Sequence, residues 1–265
     1  MIEGSEDIGK QKGTETDMSE IIPAVYVHME GFTAFFRRTH LITGNQITLP
    51  CPSYANILGL ISACTDKTVC PRDTRIGFEF RHASEDQDLE RTQRLALKNE
   101  SLKQHSEGKG LLRRQMHFRP QLDLYLTNLE LAHSFTNPAA PPCLGRSQDL
   151  CWITKVEIVD LIPAKSGNIG STMISNRIVK TNIPSYIVRS AEWFNNDVTG
   201  ITRKVEAVGF YQAIEPNNDN TRINVTMDNL FHPSNLANPE DVIYLHEWSK
   251  PLIRVSKHRP RKMKR

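Results

Sequence analysis

Four short runs of alternating or continuous apolar residues, with one capped helical stripe between the first two, constrain this chain most. The runs are Val25-Tyr26-Val27-His28-Met29-Glu30-Gly31-Phe32, Arg75-Ile76-Gly77-Phe78-Glu79-Phe80-Arg81, Gln121-Leu122-Asp123-Leu124-Tyr125-Leu126-Thr127 and residues 153–162. Period-two alternation marks strands that turn one face to a core. Between the first two, Pro50 and Pro52 hold an extended approach and Ser53 stands where a helix N-cap belongs. Tyr54, Ile57, Leu58, Ile61 and Cys64 then recur at helical spacing. Gly59 reads as a point of close packing on the sheet. A shorter helical stretch over 129–135 precedes the fourth run. The order predicts an α+β fold: a ferredoxin-like, RRM-type βαββαβ domain whose sheet has two helices on one face and leaves the other open. Open sheet faces commonly serve as RNA platforms.

The connection between the second and third runs is too long for neighbouring strands, dense in charge and poor in aromatics. Residues 82–115 are therefore expected to form an inserted thumb, with Leu89, Leu95, Leu97 and Leu102 along a weak helix or a hairpin edge. Gly108-Lys109-Gly110 would mark a hinge that lets Arg113 and Arg114 swing. The glycine spacing does not fit the phosphate loop of an NTPase. From residue 164 onward, β-prone runs alternate with Asn-rich turns such as Asn217-Asn218-Asp219-Asn220. The expected division is a leader at 1–20, the ferredoxin-like domain at 21–163, a small β-rich C-terminal region at 164–255 and a basic tail at 256–265.

The net charge of +3 conceals an asymmetry. Eight of the 33 basic residues fall between Lys250 and Arg265, leaving 25 against 30 acidic residues elsewhere. An acidic body with a basic end suits an RNA contact or an acidic partner, and equally a solvated tail. Five cysteines without a secretory segment read as reduced thiols. No pair has the spacing of a zinc knuckle, so neither a metal nor another cofactor is expected. No apolar run approaches the ~20 residues that cross a bilayer, and the N-terminus lacks the apolar stretch of a signal peptide. A cytoplasmic protein without membrane contact is expected.

Three cationic stretches stand out. Phe32-Thr33-Ala34-Phe35-Phe36-Arg37-Arg38 interleaves rings and guanidinium groups, as RNA sites do when they combine stacking with phosphate neutralisation. Arg113, Arg114, Gln115, His117 and Arg119 form the densest polar cluster. In an extended chain Arg113, Gln115, His117 and Arg119 would share one side. In Leu144-Gly145-Arg146-Ser147-Gln148-Asp149-Leu150, Gly145 lets the backbone approach an anion closely, while Arg146 and Ser147 supply donors.

Taken together, the helix from Pro52 to Ile61, the segment Arg114-Gln115-Met116-His117-Phe118-Arg119-Pro120 and the Gly145-Arg146-Ser147 turn resemble the Cas-five subunits of CRISPR Cascade surveillance complexes. The likeness is strongest to the type I-B branch of these RAMP-superfamily proteins and spans residues 22–162. It implies a non-catalytic role: gripping the 5′ handle of the guide RNA (crRNA) and capping the backbone filament beside the large subunit in antiviral defence. The adjacent backbone subunit would be a further partner, and contact with target DNA near its recognition motif is left open. The RNA-binding residues so implied are Arg37, Arg38, Ser53, Asn56, Arg113, Arg114, Gln115, His117, Arg119, Gly145, Arg146 and Ser147.

Type I-C relatives cut the precursor RNA themselves, which makes a metal-independent endoribonuclease the alternative. Such cleavage needs a general base and an acid, and Tyr26, His28, His40 and His117 are the candidates, all expected near one sheet face. A scaffold that meets only proteins is the third reading.

Overall fold

The computed structural model describes residues 20–38, 44–179, 183–195, 204–216 and 222–249. His40, the Asn217–Asn220 turn, the basic tail and all but the last residue of the leader lie outside them. The elements run β1 (Ile22–Gly31), β2 (Thr33–Ala34), β3 (Asn45–Gln46), α1 (Tyr54–Thr65), β4 (Ile76–Arg81), β5 (Ser84–Lys98), β6 (Ser101–Phe118) and β7 (Gln121–Leu126). A 3-10 turn at Leu129–Leu131 leads into α2 (Ala132–Thr136). The rest is β8 (Cys151–Ile169), β9 (Met173–Ser175), β10 (Tyr186–Asn195), β11 (Lys204–Ala213), β12 (Ile223–Pro233) and β13 (Asp241–Tyr244). The protein is an α+β chain dominated by strands, with two short helices among the described residues.

A six-stranded sheet in the order β12, β13, β8, β1, β7, β4 forms the body. Its four central-to-edge neighbours β8, β1, β7 and β4 pair antiparallel, and the expected alternation sets their register: Val25 faces Leu126, and Phe78 faces Leu124. Helix α1 begins as its residues dictate. Ser53 Oγ accepts from the Asn56 N–H and the Asn56 side chain returns to the Ser53 backbone, a capping box. Tyr54, Ile57, Leu58, Ile61 and Cys64 are all buried, in one core with Val25, Val27, Met29, Phe78 and Phe80.

The far face of the sheet is not left open. Ala24, Tyr26 and Tyr125 are covered by Phe231, Ile243 and Leu245, which form a second apolar cluster on that side. Beside it, Arg222 joins Glu79 at 2.6 Å and Asp241 at 3.3 Å, tying the C-terminal strands to β4. The open RNA face expected from the sequence is therefore corrected: strands from far along the chain bury much of it. Residues 163 and 164, where a change of region was expected, lie inside β8, which runs on unbroken and pairs with β1, β12 and β13.

Strands β5 and β6 form one long hairpin whose tip is Asn99-Glu100, both at positive φ. Gly108 and Gly110 lie within β6 rather than at a hinge. The register jumps between Gln93↔Lys109 and Leu95↔Gln104, so the irregularity is a bulge in a continuous strand. Pairing of Asn45 with Arg113 and of Gln46 with Arg114 fixes the two arginines that a hinge was expected to free. Gly59 is likewise corrected: it is exposed, and a Cβ there would meet nothing within 4 Å. No helix among the described residues is long and apolar enough to cross a membrane.

Candidate nucleic-acid interface

Two adjoining clefts open at the N-terminus of α1, where the helix dipole favours anions. One, of about 400 Å³, is lined by Arg37, Arg38, Ser53 and Asn56 from the β1–α1 side, and by Arg189, Phe194 and Phe210 from β10 and β11. The other, of about 310 Å³, shares Arg37 and Asn56 and adds Phe35, Gln46, Arg114, Gly145 and Arg146. Both are bounded by cations that arrive from separate parts of the chain.

The second cleft is tightly organised. Arg114 forks onto Glu90 of β5 through Nε and Nη2, at 3.0 and 2.9 Å, and donates through Nη1 to Gln46. Arg146 forks onto Asp149 through Nε and Nη2, each at 2.8 Å, and donates through Nη1 to Glu90. Hydrogen bonds from Arg114, reinforced by both positive charges, hold the Glu90 carboxyl below the usual carboxylate range despite its partial burial. Asp149 is fully buried and also accepts from Thr33 Oγ1 at 2.8 Å. The turn itself is pinned: Phe35 N donates to Leu144 O at 3.1 Å and Leu144 N to Asp149 O at 2.8 Å. Gly145 sits at φ 111°, and a Cβ there would collide with the Phe35 carbonyl. Only glycine fits that conformation at that distance.

The structure thus brings together Arg37, Arg38, Ser53, Asn56, Arg114, Gly145 and Arg146. The other expected contacts lie apart from the clefts. Arg113 is exposed and its backbone N–H donates to Gly44 O. Gln115 bridges Thr48 and Glu85. Arg119 stands exposed at positive φ in the turn into β7, beside a separate cleft with Phe32 and Phe118. Ser147 is on the exposed outer part of its turn. His117 cannot share an exposed side with Arg113, because it is fully buried between Phe36 and Phe80. Burial pulls its pKa down to about 4. Sequence reasoning missed Arg189: its strand alternates, but nothing local says that β10 comes to lie beside α1.

The candidate cleavage residues are not gathered on one face. Tyr26 donates to Asp123 at 2.6 Å. His28 sits 2.6 Å from Asp123 through Nδ1 and 3.3 Å from Glu30 through Nε2. The hydrogen bond to Asp123 raises the His28 pKa against the effect of burial. His117 lies instead with Phe36 and Phe80 in the helix-side core.

No family model matches the sequence, and no curated protein matches it. Among solved structures the chain is similar to a chain of a "CRISPR RNA-guided surveillance complex" (11% identity, TM-score 0.47, 76% of this chain against 91% of that one). It is also similar to a CRISPR protein from Archaeoglobus fulgidus, at 11% identity and TM-score 0.43, with 85% of this chain against all of the other. A third, a Cas protein, has 12% identity and TM-score 0.29 over 54% of this chain and 81% of its own.

Proposed function

We propose that the chain is an RNA-binding module whose two clefts at the start of α1 hold a phosphate backbone. The observation that carries this reading is the convergence of Arg37, Arg38, Arg114, Arg146 and Arg189 on those clefts. Forked guanidinium groups match phosphate oxygens, and the Phe194 and Phe210 rings offer stacking surfaces.

The particular protein this fits is a guide-RNA subunit of a CRISPR Cascade complex, of the Cas-five kind and the type I-B branch. It would hold the 5′ handle next to the backbone and large subunits in the cytoplasm. The β8, β1, β7, β4 order, with α1 and α2 in the crossover connections, supports a ferredoxin-like body, and the β5–β6 hairpin supports the thumb. The role is holding rather than cutting. The reading is supported by Tyr26 donating to Asp123, by His28 being held through both ring nitrogens by Asp123 and Glu30, and by the enclosure of His117 away from them.

The test is anisotropy of a labelled single-stranded CRISPR-repeat RNA across a salt series. Arg114→Ala with Arg146→Ala is expected to weaken binding and to lower the salt slope by about 1.4, at ~0.7 per lost single-strand phosphate contact. Unchanged affinity and slope would sink the assignment.

A further inference from the structure

Where β4 hands over to the hairpin, three ligand-type side chains converge: His82, Glu85 and His117. One ligand atom of each lies within 4.8 Å of the other two. Glu85 and His117 are direct partners across β5 and β6. The His82 and His117 rings stack with centroids 4.7 Å apart and planes 26° from parallel.

The hydrogen-bond network assigns the His117 tautomer. Its Nε2 lies 2.9 Å from the Leu49 carbonyl oxygen, which can only accept, so Nε2 carries the proton and Nδ1 the lone pair. That Nδ1 is buried without a hydrogen-bond partner and faces Glu85 Oε2 at 3.4 Å. His82 Nδ1 is also buried without a partner. Two buried, unpartnered imidazole nitrogens close to a carboxylate are costly unless something positive joins them. An imidazole N–H held by a backbone carbonyl, which leaves the other nitrogen free as a donor, is how metal-bound histidines are oriented.

We propose that His82, Glu85 and His117 bind a divalent transition-metal ion, with Zn²⁺ the best match to two imidazoles and one carboxylate. Tetrahedral zinc with such ligands separates its donor atoms by about 3.3 Å. The His117–Glu85 distance, 3.4 Å, is close to that value, and His82, whose ring now stacks on His117, turns out of the stack to supply the third ligand. The ion staples the root of the hairpin to the end of β4 and leaves a fourth position on the more exposed Glu85 side. The sequence pointed to no metal because no cysteine pair has knuckle spacing; His82, Glu85 and His117 meet only through strand pairing.

The experiment uses the full chain stripped with EDTA and titrated with Co²⁺, whose visible bands report tetrahedral coordination, followed by competition with Zn²⁺. One equivalent with zinc-displaceable bands is expected, as is a Zn²⁺-dependent rise in melting temperature. His82→Ala and Glu85→Gln should each weaken binding by at least about tenfold. These two side chains are partly exposed, so both variants should melt like the wild type in EDTA. Absence of the bands in the wild type, or wild-type affinity in both variants, overturns the site.

Discussion

The guanidinium carbon of Arg114 lies 4.4 Å from the centroid of the Phe35 ring, so this cation rests on a buried aromatic floor. Arg146 approaches the same ring at 5.8 Å, and Glu90 links the two arginines from the hairpin side. A stacked, doubly anchored guanidinium loses little rotamer freedom when it meets an anion, which favours specific geometry over diffuse attraction.

In the proposed RNA-bound state, Glu90 would compete with a phosphate for Arg114 and Arg146, both of which it now pairs with. Replacing its charge in Glu90→Gln should tighten RNA binding several-fold, on the scale of ~1 kcal/mol for one competing ion pair, and should steepen the salt slope. The same anisotropy assay reads both; equal or weaker binding would show that RNA does not compete for these groups.

Two glycines should respond in opposite directions. Gly145→Ala forces a Cβ onto the Phe35 carbonyl at φ 111° and should cost about 2–4 kcal/mol in urea unfolding. Gly59→Ala, in an open helical position, should stabilise by about 0.5–1 kcal/mol.

The His28–Asp123 contact gives a pH dependence of definite sign. The histidine pKa is raised in the folded state, so its stabilisation is complete below the ordinary value of about 6.5 and is lost as pH rises through the folded value. The stability difference between wild type and His28→Gln should accordingly be larger at about pH 6 than at about pH 9. A difference that grows with pH would contradict the pairing.

Thiol reactivity should divide the five cysteines. Cys70 and Cys143 are partly exposed, whereas Cys51, Cys64 and Cys151 are buried. Burial pushes the Cys64 thiol up to about 11 and that of Cys151 to about 12. A thiol reagent should titrate Cys70 and Cys143 in the native protein and reach the other three only on unfolding. Rapid native labelling of Cys51 would contradict the packing of α1.

What could be read in advance was what is encoded locally. Ser53 and the Tyr54–Cys64 stripe specify α1 within a dozen residues, and Gly145 marks a turn only glycine can make. The partners of that turn were not legible, because Phe35 and Glu90 reach it through long-range topology, as Arg189 reaches the adjoining cleft. The same reason hid the cover over Tyr26 and Tyr125, which comes from Phe231 and Ile243 far along the chain. His117 misled for a physical cause: alternation in β6 assigns it to a side, but whether that side meets solvent depends on Phe36 and Phe80.

The hairpin has one more implication. Beyond the short stretch braced by β2 and β3, it is a ribbon of only two strands, with Leu95, Leu97 and Leu102 in contact with water. Ribbons this thin are marginal in isolation. Its outer half is thus an unfinished surface whose exposed leucines would gain from any contact that covers them.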